Sequence, residues 1–538
     1  MRVLPAVWLL GCGARATALA REDAAPVDAG AQADAAGGCD SGSVRCVGTG
    51  VDQCGDDGTW RVAAPSSVGC EFWAVDLDVS DMPGGDAASL PVIVRVSNPG
   101  PAQARVRVDF VDALGDEPIV TEEATVPGGD LRVLELPNRP VDSERKGGAA
   151  YRIVSDVPIF AFLESAPGVG EATALFPAHA LGTRYVVASW PQTIAATEDP
   201  STDFGEHRRT FLTIVGTADA EVTITATTAA ITMPGAKGDR FRVGVPTAVS
   251  LGPYLAVNLE SDGFLQDFTG TTIESTAPVA VFVGSEASDA PTWESLSERL
   301  CCAHHLVEQL PPRDWFGTSY VGVVPPNRPD ALLPVVGGIA DVPEIGVFRV
   351  VGVDPEGARI TTTLPSPHDA FSLSERASVD FEATEDFILQ SDAPVALLSL
   401  VSSSQTTGLP ASLPSGGPAM TFVPPQDRGV REARVVLPDA FLFDFLSIVA
   451  PGGANVTLGG LSTVGICSEA SIGEDGARIL RCQLSFPEGA MEGGTMRVEP
   501  GRQEDTLQVV AADAPILVLA HGFDDFASYA MWGGFAGR

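Results

Sequence analysis

The chain has 538 residues, enough for about three or four domains. Asp and Glu number 70 against 33 Lys and Arg, a net charge of −37, and a field of that sign disfavours nucleic acid as a partner. No apolar run reaches the roughly 18 residues that a membrane-spanning helix needs.

The N-terminus reads as an export signal. Met1-Arg2 is a short positive start, Val3 to Leu10 a brief apolar run, and Leu9-Leu10-Gly11-Cys12 has the form of a bacterial lipobox. Residues 1–11 are therefore expected to be a lipoprotein signal peptide, with Cys12 the lipidated first residue of the mature chain. A rival cut after Ala18-Leu19-Ala20 would give a secreted or periplasmic protein. Both cuts export the chain. Lipidation is favoured, which implies an outer-membrane or cell-surface protein that meets the membrane through its lipid anchor only. Residues 12–38, rich in Ala, Asp and Gly, suit a flexible linker.

Residues 39–70 hold Cys39, Cys46, Cys54 and Cys70 and are too short to build an adequate core, so disulfides must staple them. Their gaps do not give the paired C-x₂₋₄-C knuckles of zinc modules. Asp40-Ser41-Gly42 matches the phrase around a serine-protease nucleophile, but with no histidine upstream it reads as a turn. Beyond this module, Cys301, Cys302, Cys467 and Cys482 complete an even set of eight, most simply a set of disulfides in an exported chain. Cys467 and Cys482 flank one short loop and are expected to bridge it. The adjacent Cys301 and Cys302 are expected to send at least one bond to a distant cysteine. The remaining connectivity stays open.

From Glu71 onward the pattern is β throughout. Four phrases run through a proline into a buried-strand pattern: Ile153 to Phe162 around Pro158, Ile273 to Phe282 around Pro278, Leu389 to Leu398 around Pro394, and Val509 to Val518 around Pro515. Their prolines lie 120, 116 and 121 residues apart, so one structural unit recurs four times. Upstream of each, two alternating β-branched runs flank a polar turn, as in Phe211 to Val215 followed by Val222 to Thr225. Because proline donates no ladder hydrogen bond, each is expected to begin its strand or lie at an edge. The fold class is all-β, with about four tandem sandwich-like units of roughly 120 residues. The expected units span 71–182, 183–318, 319–432 and 433–538.

Three phrases in the C-terminal half carry a family resemblance. Cys301-Cys302-Ala303-His304-His305-Leu306-Val307-Glu308-Gln309-Leu310-Pro311-Pro312, followed by Trp315, resembles "CCADHLEEQLPP…W". Gly416-Gly417-Pro418-Ala419-Met420 is similar to "GDPAM", and His521-Gly522-Phe523-Asp524 through Gly534 to "YGYDxYxSYxYPGG". These phrases resemble bacterial, myxobacterial-type proteins with a region like the N-terminal domain of the IgGFc-binding protein, here over about 170–534. His304 and Gly417 stand where that family has acids. The resemblance implies an extracellular, β-rich binding or adhesion region. Fc binding belongs to the mucosal animal protein and is not carried over by these residues.

Two function classes follow. The favoured one is a surface-anchored, non-enzymatic binding or adhesion protein recognising an extracellular protein or glycan, with no cofactor. The alternative is a secreted hydrolase with an unrecognised active site, although no G-x-S-x-G elbow, H-E-x-x-H or Walker loop occurs. His304, His305 and Glu308 form the one metal-like cluster, and it falls short of a full site because adjacent side chains diverge. It reads instead as a cysteine-fastened turn of helix. Trp73, Trp190, Trp293, Trp315 and Trp532 are weighed as a binding platform against packing duty, with Trp and Tyr at loop tips as anchors.

Overall fold

Each proline phrase lies inside an unusually long strand: Ala150–Glu164, Thr272–Ser288, Phe387–Val401 and Leu507–Phe523. The computed structural model describes residues 39–80, 89–112, 117–141, 147–165, 171–228, 230–231, 241–261, 263–340, 342–410, 412–438, 441–473, 476–492, 495–503 and 506–537. The signal peptide, Cys12 and the linker fall outside them.

Each long strand is shared by two antiparallel layers. In the second unit, Thr272–Ser275 pairs with Val222–Thr225 and with Arg184–Val186. After the proline, Val279–Ser285 pairs instead with Thr210–Gly216, and Phe282–Ser285 also with Leu306–Gln309. The other three long strands repeat this plan. Four curled sheets result, running from Gly69 to Ala174, Gly182 to Gln309, Gly317 to Phe422 and Val430 to Trp532, with Gly147–Gly148 crossing to pair with Leu255 and Ala256 of the second.

The prolines neither start these strands nor sit at an edge. In every unit the proline and the two residues before it have no ladder partner, because the strand there leaves one layer and enters the other. A missing N–H is harmless at such a bend. The residue two before each proline fastens the bend to the hairpin. Asp156, Asp392 and Asp513 accept the backbone N–H of Arg105, Arg359 and Asn455 at 2.7, 2.7 and 2.9 Å, and the Thr276 hydroxyl accepts that of Glu221 at 3.0 Å.

Short junctions join the units. Pro177, Pro312 and Pro425 each precede a single 3-10 turn, and Gly182, Gly317 and Gly429 follow it. Two junctions run into a further clamp. The Tyr185 hydroxyl accepts from Gly182 N–H at 2.9 Å and donates to the carbonyl of Val279, the residue after Pro278, at 2.6 Å. Tyr320 links Gly317 and Val395 in the same way.

The cysteine-rich module is a three-stranded sheet closed by Cys39–Cys54, and Cys46–Cys70 bonds it to the first strand of unit one, Gly69–Val75. Near the other end of the chain, Ser67 and Phe535 exchange hydrogen bonds, so residues flanking the first and last units meet. The sequence reading passed over one helix, Arg328–Val336, which Asn327 caps by accepting the Asp330 N–H at 2.9 Å.

Tyr185→Phe removes the partner of a backbone donor and of a backbone acceptor at one bend. We expect a loss of about 1–3 kcal/mol in urea unfolding, matched by Tyr320→Phe. A null effect in both would show that these hydroxyls do not hold the bends.

Candidate functional site

The last strand of each unit is Ala172–Ala174, His304–Gln309, Ala419–Phe422 and Ser528–Trp532. Ala174, Gln309, Phe422 and Trp532 each pair with the residue four beyond the unit's proline, so they are equivalent positions. One position earlier stand Thr173, Glu308, Thr421 and Met531, and one earlier again Ala172, Val307, Met420 and Ala530.

Glu171 is buried where the four strands meet. Its Oε2 accepts the Val307 N–H at 2.8 Å and its Oε1 the Met420 N–H at 2.5 Å, and the Ala530 N–H also reaches it. These three donors are the equivalent residues of units two, three and four. One side chain from unit one therefore bonds each of the other units. Beside it, Glu308 Oε2 accepts the Thr173 hydroxyl at 2.6 Å, with the Thr421 hydroxyl and the Phe422 N–H alongside. Thr173 in turn accepts the Gln309 N–H, and Gln309 accepts that of Phe176 at 2.6 Å.

Burial dominates the electrostatics here. It raises the Glu171 carboxyl well above the usual range, against the Val307 N–H and reinforced by Glu308. It pushes Glu308 up to about 8, against the Thr173 and Thr421 hydroxyls. It depresses His305 to about 3, helped by His304 and opposed by the Asp78 carbonyl. The Glu171 N–H donates to His305 Nδ1 at 3.3 Å, which leaves Nε2 to donate to the Asp78 carbonyl at 3.1 Å, so His305 is neutral.

Several sequence expectations are corrected here. The His304–Glu308 segment is a strand and not a turn of helix, because it completes the ladder of Thr272–Ser288. His304 and His305 diverge across it, His304 Nδ1 toward the Pro418 carbonyl at 3.0 Å and His305 toward Asp78. Among the described residues no three His, Cys, Asp or Glu side chains stand together as metal ligands. Cys301 and Cys302 bond each other and not a distant cysteine. Their peptide is cis, which brings the Cα atoms to 3.0 Å. Cys467 and Cys482 are joined, their Cα atoms 4.2 Å apart.

The five weighed tryptophans are all buried, as are the tyrosines, so they offer no anchors at loop tips. Trp315 and Trp532 instead form an aromatic plug with Phe176 and Phe535, ring centroids 5.0 to 6.0 Å apart. Sequence reading missed Glu171. Aligning the units on Leu175-Phe176-Pro177, Leu310-Pro311-Pro312 and Val423-Pro424-Pro425 would have put Thr173, Glu308 and Thr421 in one layer, with Glu171 two residues before Thr173.

A crevice of about 460 Å³ between units three and four gathers Glu344, Glu385, Asp386 and Arg481. Asp386 is committed to Arg481 at 2.5 Å and to the Val324 N–H at 2.9 Å, and Glu344 to Arg328 at 2.6 Å. These contacts lock elements together and leave no paired acid and base.

The family model described as IgGFc binding protein matches residues 171–522. A human IgGFc-binding protein is 30% identical over 159 residues, which cover 30% of this chain and 2% of that relative. The matched region opens on Glu171 and takes in units two and three and unit four as far as Gly522, short of its last strand.

Glu171→Ala would strand three backbone donors at the centre. A loss of at least about 3 kcal/mol is expected in denaturant unfolding, from about 1–3 kcal/mol for each unpaired group. A loss below 1 kcal/mol would mean that the carboxylate does not join the units.

Proposed function

The chain belongs to the IgGFc-binding protein family, and from that premise we propose that it is a non-enzymatic binding protein whose partner is an extracellular protein. The observation that carries this reading is the family match over residues 171–522, which spans units two and three and most of unit four. The chemistry supports it. The titratable groups that the fold concentrates, Glu171, His305 and Glu308, are sealed from solvent and spent on joining units. A catalytic acid or base must instead reach substrate.

We place the contact surface on the loops that lead into the central strands. Leu296 N–H bonds the Ser201 carbonyl at 2.8 Å, Ser403 N–H that of Ala290 at 2.6 Å, Gln405 N–H that of Cys301 at 2.8 Å, and Gly416 N–H that of Asp524 at 2.8 Å. Loops from three units thus meet in one hydrogen-bonded platform, and Phe204, Leu300 and Phe526 are exposed on it. Export, with tethering through a lipid on Cys12, is part of the proposal and suits an extracellular partner.

The test is an array of extracellular proteins and glycans, immunoglobulin Fc among them, probed with residues 39–538. We expect retention of a protein probe, weakened at least tenfold by replacing Phe204, Leu300 and Phe526 with serine. Retention of glycans alone would move the ligand class. A panel of esters, glycosides, peptides and phosphates completes the experiment. Turnover by the wild type that disappears in a folded His304, His305 and Glu308 triple variant would replace binding by hydrolysis.

A further inference from the structure

The two central carboxylates are not equivalent. Glu171 receives N–H donors on both oxygens, from three units, and these favour its anion against the burial and the Glu308 charge that raise it. Glu308 uses Oε2 to accept from Thr173, and its buried Oε1 has no hydrogen-bond partner of good geometry, the Thr421 hydroxyl and the Phe422 N–H lying beside the carboxyl without closing a bond to that oxygen. A second anion at Oε1 would be buried and unpaired beside the first. A proton on Oε1 removes that charge.

We propose that Glu308 and Glu171 form a one-proton latch on the junction of the four units, closed while Glu308 is protonated and Glu171 ionised, and loosened when Glu308 also loses its proton. The proton leaves to water, so the step needs no other reactant.

Among the described residues the strands packed against Glu308 offer no compensating charge, and the Thr272–Ser288 strand paired with its own adds only the acids Glu274 and Glu286. The strand carrying Glu308 also presents His305, held neutral between the Glu171 N–H and the Asp78 carbonyl, and His304, turned to the Pro418 carbonyl. The strand from unit one presents Glu171 itself. The Ala419–Phe422 strand has no titratable side chain. In Ser528–Trp532 the one such group, the Tyr529 hydroxyl, donates to Asp444 at 2.6 Å.

The sign follows from the raised position of Glu308 at about 8. A carboxyl that keeps its proton in the folded state stabilises fully below its unfolded range, and that contribution falls as pH rises through about 8. The Val307, Met420 and Ala530 amides should therefore lose protection against hydrogen exchange by up to about tenfold per pH unit between about pH 5 and 8, beyond the change at amides remote from the centre.

The test compares full-chain wild type with Glu308→Gln, which is neutral at every pH. Melting temperatures that agree near pH 5 and diverge in favour of the variant by pH 9 support the latch. A difference independent of pH overturns it. Infrared spectra of the wild type supply a readout that does not depend on the variant folding. A protonated-carboxyl band shielded from solvent at pH 6 and lost by pH 10, with exchange rising at the three amides, supports the latch. Absence of that band at pH 6 overturns it.

Discussion

Buried backbone donors constrain this fold more than any other feature. Each unit's last strand pairs with a long strand along one edge and turns its other edge toward the centre. A free strand edge buried without partners is costly, and among the described residues no fifth strand fills the space. Glu171 answers the N–H groups of Val307, Met420 and Ala530 with one side chain. Because those donors come from three different units, the same bonds that satisfy the edges also set the relative position of the units.

The interfaces farther out follow the same logic with larger charges. Arg349 of unit three is buried between Asp267 of unit two and Asp380 of its own unit, at 2.5 and 2.6 Å, with its guanidinium 4.7 Å from the Trp190 ring. Within unit three, Arg328 is likewise fully buried against Glu344 and the Ser402 and Ser415 carbonyls. Such pairs add little net stability over apolar packing, but losing one partner costs about 3–5 kcal/mol. The Arg349–Asp267 pair therefore selects one arrangement of units two and three over its rivals. A shared core reinforces the choice, since Leu212 and Val281 of unit two lie in one apolar cluster with Val347 and Leu398 of unit three.

Legibility in the sequence follows the range of the interactions. The all-β class and the fourfold recurrence were readable because each long strand repeats a local pattern, with Asp or Thr two residues before the proline. The bend itself was not, since a proline in mid-strand looks forbidden until a second layer takes over the ladder beyond it. The Cys301–Cys302 bond was hidden by the expectation of a trans peptide. The centre was least readable. His305 and Glu308 drew notice through their types and spacing, which suggested a metal, whereas their partners Glu171 and Thr173 lie more than 130 residues earlier in the chain.

His304 and Gly417 show how closely the central strands approach one another, because in the fold the two positions touch. A Cβ on Gly417 would lie 3.0 Å from His304 Cβ and 2.5 Å from the Phe526 carbonyl oxygen. Any side chain at 417 therefore needs the Phe526 carbonyl or the His304 strand to give way, whatever residue stands at 304. This contact sits where the central strands meet their connecting loops, with Gly417 N–H bonded to Ser528 Oγ at 3.1 Å. Glycine at 417 lets those loops close over the junction in which Glu171 keeps the units in register.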